Sequence, residues 1–358
     1  MSSHFHTLTI TDLRRETADA VSVRLGVPDD LRSAFKYKAG QHLTLRATVA
    51  GEELRRNYSI CASPREDELR IAIKRITDGR FSNWANTSLK VGQTIEAMAP
   101  KGSFTWAFSP QAANHYVAFA GGSGITPVLS LLKTALTEEP NSDFTLFYGN
   151  RDAASIIFLE ELARLKDLFL SRLRIHHVLE LEQDEVDLFN GRLDREKCDL
   201  LLDCMTDTAE VAAFFICGPG PMMDAAEAAL IDRGVSRERI LIERFTVDRP
   251  TGAAMAALDS KATEASGLPM TLIIDGRRRL IQFDAAQANI LDNARAAGLP
   301  APFACKAGVC ATCRARLISG KVSMAANYSL SEEDLAAGYI LTCQSIPITE
   351  DVVIDYDV

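Results

Sequence analysis

Four cysteines near the C-terminal end of the chain carry the clearest chemistry in the sequence. Cys305, Cys310 and Cys313 lie close together in the stretch ACKAGVCATCRARL, and Cys343 follows at a distance. Four thiolates can anchor one tetrahedral zinc ion, or they can hold the two irons of a 2Fe-2S cluster in pairs. Four unrelated buried cysteines are a third possibility, so the spacing has to decide.

The spacing of these cysteines favours the cluster. Structural zinc sites usually take their ligands from two short knuckles. Here Cys305-x4-Cys310-x2-Cys313 is followed by a single distant cysteine, which is the plant-type ferredoxin spacing. Small residues between the cysteines let backbone amides approach the sulfurs. We therefore expect Cys305, Cys310, Cys313 and Cys343 to ligate a 2Fe-2S cluster, which carries one electron at a time and requires an electron donor.

Length and composition indicate a protein of several domains. At 358 residues the chain is too long for one ordinary core, and its 47% hydrophobic and 24% charged residues are typical of globular proteins. The net charge of −9 disfavours nucleic acid as a partner, although the first third is basic enough to hold an anionic cofactor. No apolar run resembles a signal peptide or could cross a bilayer, so we expect a cytoplasmic protein with no membrane partner.

The first two thirds of the chain change from one pattern to another. Alternating or β-branched runs at 42–49, 56–62 and 69–76 predict short strands, and hence a small antiparallel β-barrel over residues 1–108. From His115 onward, buried strands alternate with helices, beginning with YVAFAGGSGITPVLSLLKTAL. This alternation predicts an α/β domain with a parallel sheet over residues 109–248.

The last third predicts a linker and a third domain. Residues 246–269 are rich in small residues and have no clear period, so we assign 249–267 as a linker. In MTLIIDGRRRLIQF, the dipeptide Asp275-Gly276 separates two apolar runs and predicts a type I′ hairpin. Asp284 can cap a helix that runs to about Ala297. The cysteines therefore belong to an α+β, ferredoxin-like (β-grasp) domain over residues 268–358.

The tetrapeptide RNYS, Arg56 to Ser59, resembles the R-x-Y-S flavin signature of the ferredoxin-NADP reductase superfamily. The resemblance implies a barrel that binds FAD, followed by a nucleotide domain. It implies that Arg56 pairs with the FAD pyrophosphate, Tyr58 lies against the isoalloxazine ring, and Ser59 hydrogen-bonds the flavin nitrogen that accepts hydride. The residue types suit these roles, because a guanidinium fork matches phosphate geometry and an aromatic face covers a flat ring.

Two further segments extend this resemblance. Lys74, together with Gly79 and Ser82, is similar to the second flavin segment and its G-x-x-S pyrophosphate contact. The stretch AGGSGITP is similar to the NAD(P) loop, in which glycines let the backbone approach a pyrophosphate and a helix N-terminus offers free amides. The residues expected in this loop are Gly121, Gly122, Gly124, Thr126 and Pro127.

The hydride-transfer site is expected near two later segments. Cys217-Gly218-Pro219 resembles the C-G-P segment at the nicotinamide, although Cys217 could instead be a small buried thiol. The run ERF, which ends at Phe245, resembles the segment that closes over the flavin. The three residues expected nearest the chemistry are Ser59, Cys217 and Glu243.

The choice of nucleotide depends on Arg151. It ends the stretch YGNR at a strand terminus where the superfamily often recognises the adenosine ribose. A guanidinium there could hold the 2′-phosphate of NADPH, so we expect NADPH rather than NADH. An exposed arginine without that role is the alternative.

The order of the three domains implies an electron path from NAD(P)H through FAD to the cluster and then to an oxygenase. The stretches GEELRRNYSIC, YGNR, CKAGVCATC and NYSLSEEDLAAGYILTCQ are similar to those of reductase subunits of ring-1,2-phenylacetyl-CoA epoxidases. That resemblance implies that the electron acceptor is the di-iron oxygenase component that epoxidises phenylacetyl-CoA in aerobic phenylacetate degradation. A reductase for another multicomponent oxygenase is the alternative, and a redox sensor or zinc-bearing interaction module is a third possibility.

Overall fold

The computed structural model describes residues 4–245 and 260–357. They form two compact units, one made mostly of residues 5–244 and the other mostly of residues 260–357. The strands of the first unit are β1 Phe5–Thr17, β2 Ala20–Gly26, β3 His42–Val49, β4 Glu52–Ser59, β5 Leu69–Lys74, β6 Thr94–Met98, β7 His115–Gly121, β8 Asp143–Asn150, β9 Leu173–Leu179, β10 Val211–Cys217 and β11 Ile240–Glu243. Its helices are α1 Arg80–Ser88, α2 Ile125–Glu138, α3 Leu159–Leu168, α4 Arg195–Met205 and α5 Gly220–Asp232.

The second unit contains the cysteine loop. Its strands are β12 Pro269–Ile274, β13 Arg277–Gln282, β14 Arg314–Ser319, β15 Val322–Met324, β16 Tyr339–Leu341, β17 Ser345–Pro347 and β18 Val352–Asp355. Its longer helices are α6 Ile290–Ala296 and α7 Glu332–Ala336. Across the described ranges 4–245 and 260–357, no helix is long and apolar enough to cross a membrane.

The first sheet is the expected antiparallel barrel. Its strand order is β4-β3-β6-β1-β2-β5, and Leu8 and Ile10 of β1 point into the core while their neighbours in sequence are exposed. The sheet curls until its two edges meet, because Ile60 bridges to Ile71 of β5 just after β4 ends. The strand that carries RNYS starts and ends earlier than predicted, at Glu52–Ser59.

The second sheet is parallel, with the order β11-β10-β7-β8-β9, as predicted. Helices cover both faces of such a sheet, which explains why β7 reads as a continuous apolar run with six of its seven residues buried. The register pairs Cys217 with Ala120 and Gly121 with Gly149. The carboxyl ends of β7, β8 and β10 therefore bring the glycine loop, the YGNR stretch and the C-G-P turn to one edge.

The barrel and the parallel sheet belong to one compact unit and share a hydrophobic cluster. Phe104, after the last barrel strand, packs edge-on against Phe215 of β10 with ring centroids 6.0 Å apart. The indole of Trp106 donates a hydrogen bond to the hydroxyl of Tyr116 (3.1 Å), which donates in turn to buried Glu139 (2.9 Å). Burial is the main cause that raises the pKa of Tyr116 to about 12, so this hydroxyl remains a donor.

The second unit has the β-grasp arrangement. Its main sheet has the order β13-β12-β18-β14-β16, in which β12 and β18 run parallel, and α6 packs its buried side chains into the core. The predicted hairpin turn is confirmed, because Asp275 and Gly276 both have positive φ angles, 52° and 70°.

Two sequence predictions in this unit need correction. Asp284 caps only a single 3-10 turn, and the positive φ of Ala288 (58°) separates it from α6, whose cap is Asn289. In the predicted linker, residues 246–259 lie outside the described residues. Residues 260–264 are helical, and Ala262 and Ala265 are buried in the core of the second unit, so this part belongs to that unit.

A buried imidazole predicts how stability depends on pH. His176 is stacked between the rings of Phe147 (5.5 Å) and Phe189 (5.3 Å). Burial first, and then its positive neighbours, lower its pKa below the ordinary 6.5. As the pH decreases below 6.5, the imidazole is therefore protonated more readily in the unfolded chain than in the folded chain. The free energy of unfolding then decreases as the pH decreases.

We expect His176→Phe, which keeps the stack, to reduce that loss of stability. Urea unfolding at about pH 7.5 and about pH 5.5 would measure it in both proteins. An equal loss in the variant would contradict the role given to His176.

Candidate functional site

The flavin signature lies at the end of β4. Ser59 is buried, and its hydroxyl has no hydrogen-bond partner among the described residues. Tyr58 is half-buried and packs against Phe81 of α1, with ring centroids 5.7 Å apart. Arg56 is exposed. A buried hydroxyl without a partner is costly, and a bound flavin nitrogen would supply the missing partner, so the strand end fits the expected cofactor.

The second flavin segment is a braced turn before α1. The Ser82 hydroxyl donates to the carbonyl of Gly79 (3.1 Å) and accepts from the backbone amide of Ile76 (3.1 Å). A Cβ on Gly79 would lie 2.5 Å from that hydroxyl. Ser82 therefore shapes the turn by hydrogen bonds within the chain, whereas the sequence suggested only a contact to pyrophosphate.

The glycine loop and the C-G-P turn meet backbone to backbone. A Cβ on Gly124 would lie 2.0 Å from the carbonyl oxygen of Cys217, and one on Gly121 would lie 2.6 Å from the ring of Pro219. A Cβ on Gly218 would lie 2.9 Å from the backbone nitrogen of Gly121. Two of the loop glycines are thus required by contact with the neighbouring turn, in addition to any approach to a pyrophosphate.

Side chains around the glycine loop hold its shape. Gly122 has a positive φ of 50°, and the buried hydroxyl of Tyr148 donates to its carbonyl (2.9 Å). The Thr126 hydroxyl donates to the carbonyl of Ser123 (3.0 Å), and Pro127 is buried in the first turn of α2. Sequence reasoning missed Tyr148, although it begins the YGNR stretch, because a buried tyrosine near a strand end is usually part of the core.

Two cations lie near this loop. A Cβ on Gly122 would lie 3.0 Å from the Lys74 amine, so Lys74 of the barrel faces the nucleotide loop. Burial first, and then the charge of Arg151, lower the pKa of Lys74. Two positive groups that repel each other beside a glycine loop fit an anionic ligand, which would relieve the repulsion.

Arg151 itself is exposed, and its contacts leave the guanidinium accessible. Its Nε atom lies 3.2 Å from Asp152, and 59% of its side chain is exposed. The other Asp152 oxygen accepts from the backbone amide of Ser155 (2.8 Å), so that carboxylate caps the following turn.

The remaining predicted residues lie at the ends of β10 and β11. Cys217 is fully buried, and burial followed by the charge of Glu243 raises the pKa of its thiol well above the ordinary value, so the thiol is neutral. The Glu243 carboxylate lies 3.8 Å from Nδ1 of His42 in β3, a buried histidine that the sequence did not single out. Phe245 is exposed.

The four cysteines of the second unit form two pairs. Cys305 and Cys310 affect each other's pKa most strongly, and so do Cys313 and Cys343. The interaction with Cys305 holds the pKa of Cys310 well below its ordinary value, and the interaction with Cys313 lowers the pKa of Cys343. Within the described residues, no three Cys, His, Asp or Glu side chains converge on one metal-binding point. Two pairs of thiols suit two irons better than one tetrahedral zinc.

The loop between the cysteines turns its amides toward the sulfurs. Lys306, Gly308 and Ala311 all have positive φ angles, which wraps the backbone around the thiols. The loop therefore offers the hydrogen bonds that tune iron-sulfur clusters. The donor–sulfur pairs are the amide of Ala307 with Cys305 (3.3 Å), the amide of Thr312 with Cys310 (3.4 Å) and the side-chain amide of Gln344 with Cys343 (3.7 Å).

Comparison with known proteins shows the three expected domains. Residues 7–106 match an oxidoreductase FAD-binding domain, residues 119–228 an oxidoreductase NAD-binding domain, and residues 272–347 a 2Fe-2S iron-sulfur cluster binding domain. One subunit of the 1,2-phenylacetyl-CoA epoxidase of Escherichia coli K12 is 43% identical over 99% of this chain and 98% of its own length. The chain belongs to the ferredoxin-NADP reductase superfamily, in the group with a C-terminal 2Fe-2S domain.

Other members of this superfamily support the same architecture. The ferredoxin reductase component of the 3-ketosteroid-9-alpha-monooxygenase of Rhodococcus rhodochrous is 35% identical over 98% of this chain and 96% of its own. The solved structure of phthalate dioxygenase reductase matches 98% of both chains with a TM-score of 0.59 at 24% identity. This superfamily member is thus an NAD(P)H oxidoreductase with domains for FAD, a pyridine nucleotide and a 2Fe-2S cluster.

The paired thiols yield a prediction about iron content. We expect the wild-type protein to contain about two irons and two labile sulfides per chain. Cys310→Ser should lose most of both while it retains FAD, because Tyr58, Ser59 and Lys74 of the flavin motifs lie in the other unit. Cys204→Ser, at an exposed cysteine outside the pairs, is the matched control and should keep all of them. Chemical iron and sulfide analysis beside flavin absorbance would measure this, and stoichiometric zinc in the wild type would contradict it.

Proposed function

We propose that this protein transfers electrons from NADPH to the di-iron oxygenase component of a phenylacetyl-CoA epoxidase. The observation that carries this proposal is the full-length similarity to the E. coli epoxidase protein, together with matches to FAD-binding, NAD-binding and 2Fe-2S domains in one chain. When bound, FAD accepts the hydride of NADPH and releases its two electrons singly, and the 2Fe-2S cluster carries them one at a time.

On the flavin side, β4 supplies the binding groups. Arg56 is exposed and available to pair with the FAD pyrophosphate, and Tyr58 would lie against the isoalloxazine. The buried hydroxyl of Ser59, which has no partner among the described residues, would donate a hydrogen bond to the flavin nitrogen that accepts hydride. Gly79 and the turn that Ser82 braces present the amides at the start of α1 to the pyrophosphate.

On the nucleotide side, the loop from Gly121 to Pro127 receives the NADPH pyrophosphate, and Lys74 adds positive charge from the barrel. The turn after Cys217, with Gly218 and Pro219, lies at the nicotinamide. Because its thiol stays neutral, Cys217 acts by packing and not as a nucleophile. Glu243 and Phe245 belong to the segment at the flavin.

At the cluster, Cys305, Cys310, Cys313 and Cys343 would ligate the two irons. The mutual influence of Cys305 with Cys310 and of Cys313 with Cys343 supports one pair of ligands for each iron. Amides of the surrounding loop stabilise the negative charge on the sulfurs.

A second candidate acceptor is a different multicomponent oxygenase. The 35% identity to the 3-ketosteroid-9-alpha-monooxygenase reductase component over nearly the whole chain favours this alternative. The same electron path serves both candidates, so only the acceptor differs.

The nucleotide preference depends on Arg151. We expect Arg151→Ala to raise the KM for NADPH by tenfold or more, because a guanidinium–phosphate contact is worth about 1.5–3 kcal/mol, and to change the KM for NADH little. Arg174→Ala is the matched control, since Arg174 is also half-exposed and pairs with Asp143 at the opposite end of the sheet. Steady-state ferricyanide reduction with each nucleotide would measure this. Equal losses with NADPH and NADH would assign Arg151 another role.

The acceptor is tested by reconstitution. Wild-type protein with NADPH and purified epoxidase oxygenase components should form the epoxide of phenylacetyl-CoA. Cys310→Ser should keep NADPH-dependent ferricyanide reduction but lose epoxide formation, because ferricyanide can accept electrons directly from flavin. Epoxidation by the variant without its cluster would refute the path. Turnover only with a 3-ketosteroid oxygenase would favour the second candidate.

A further inference from the structure

A dense set of polar contacts joins the barrel to the parallel-sheet half of the first unit. We call these contacts the seam. One side of the seam is the segment 62–66, which begins three residues after Ser59. The other side is one face of α2, made by Ser130, Lys133, Thr134 and Glu138.

The centre of the seam is buried and hydrogen-bonded. The Ser130 hydroxyl donates to the backbone carbonyl of Ala62 (2.6 Å), and the hydroxyls of Ser63 and Thr134 lie 2.9 Å apart. The side chains of Ser130, Ser63 and Thr134 are all buried. Polar groups in such a place must keep their partners, because breaking one bond leaves a buried donor or acceptor unpaired.

Charged groups complete the seam around Lys133. Its amine lies 2.7 Å from Glu66 of the barrel segment and 2.8 Å from Glu161 of α3, and only 8% of its side chain is exposed. Burial alone would lower the pKa of Lys133, but the two carboxylates more than offset burial and raise it, so the amine stays charged. Arg65 donates to Glu138 at the end of α2 (2.8 Å).

The seam connects the two places between which hydride must move. Segment 62–66 continues directly from the flavin strand, and α2 starts at the glycine loop. Apolar surfaces can slide past each other with little loss of free energy. Hydrogen bonds and ion pairs that involve buried groups hold the two surfaces in one relative position. A displacement of about 1 Å between reacting groups can cost on the order of 100-fold in rate.

We propose that the seam fixes the distance between the flavin and the nicotinamide, with Lys133 as its central positioning residue. This inference rests on the proposed transfer of hydride from NADPH to FAD. Lys133 touches neither ligand and acts through α2 and the segment 62–66.

The test compares two seam variants on α2 with a control variant whose side chain contacts the same helix. Lys133→Met removes the charge and keeps most of the side-chain volume, and Ser130→Ala removes one buried hydrogen bond with little change in shape. The matched control is Arg172→Met. Arg172 donates to the backbone carbonyls of Leu136, Glu139 and Ser142 at the carboxyl end of α2, and none of these bonds involves a seam side chain.

Anaerobic stopped-flow reduction of the bound flavin by NADPH supplies the decisive readouts. We expect both seam variants to lower the limiting rate of flavin reduction by about tenfold to 100-fold, while the Kd for NADPH changes less than about twofold. The long-wavelength charge-transfer absorbance of the nicotinamide–flavin complex should weaken as well, since it depends on ring overlap and not on turnover. Arg172→Met should lower the melting temperature but leave the rate and the absorbance unchanged.

Two results would overturn the inference. If the limiting rate and the charge-transfer absorbance were unchanged in both seam variants, the seam would only stabilise the fold and would not position the flavin and the nicotinamide. Equal rate losses in the seam variants and in Arg172→Met would attribute the effect to α2 stability in general. Failure of the proposed function is distinct, because the wild-type flavin would then not be reduced by NADPH at all. If Lys133→Met fails to fold, the limiting rate and the charge-transfer absorbance of Ser130→Ala test the proposal.

Discussion

The first unit depends on one close approach, where the glycine loop after β7 meets the turn after β10. A Cβ at Gly124 would lie 2.0 Å from the carbonyl oxygen of Cys217, so no side chain fits between the two backbones. Both loops leave the carboxyl ends of neighbouring parallel strands, which is where such sheets bind ligands. Their contact brings the two segments expected at the nucleotide together at one edge of the sheet.

Two polar groups of the barrel are only partly compensated among the described residues. The hydroxyl of Ser59 is buried without a partner among the described residues, and Lys74 is half-buried and repelled by Arg151. An unpaired buried polar group costs about 1–3 kcal/mol, and a cation near another cation adds to this. In the proposed function, a flavin nitrogen beside Ser59 and a nucleotide phosphate beside Lys74 would offset these costs.

Much of this could be predicted from the sequence because motif spacing reflects local geometry. The cysteine spacing, the Asp275-Gly276 turn and the alternation of strands and helices each depend on a few neighbouring residues. The features that sequence reasoning missed depend on residues far apart in sequence or on an unusual backbone angle. The residues near Gly124 do not indicate its contact with Cys217, and an alanine at 288 does not indicate the positive φ after which α6 begins. Lys133 looks like a solvated helical lysine until Glu66 and Glu161 are brought to it.

The two kinds of electron transfer in the proposed function make different demands on structure. A hydride is a hydrogen nucleus that moves together with two electrons, so its donor and acceptor must be in contact. A small error in the distance between them lowers the rate of transfer strongly. The structure meets this demand by placing Tyr58 and Ser59 at the end of β4 and the nucleotide loop in one compact unit, with a polar seam between barrel and parallel sheet. The paired cysteines would instead handle single electrons, and they lie in a unit with its own core.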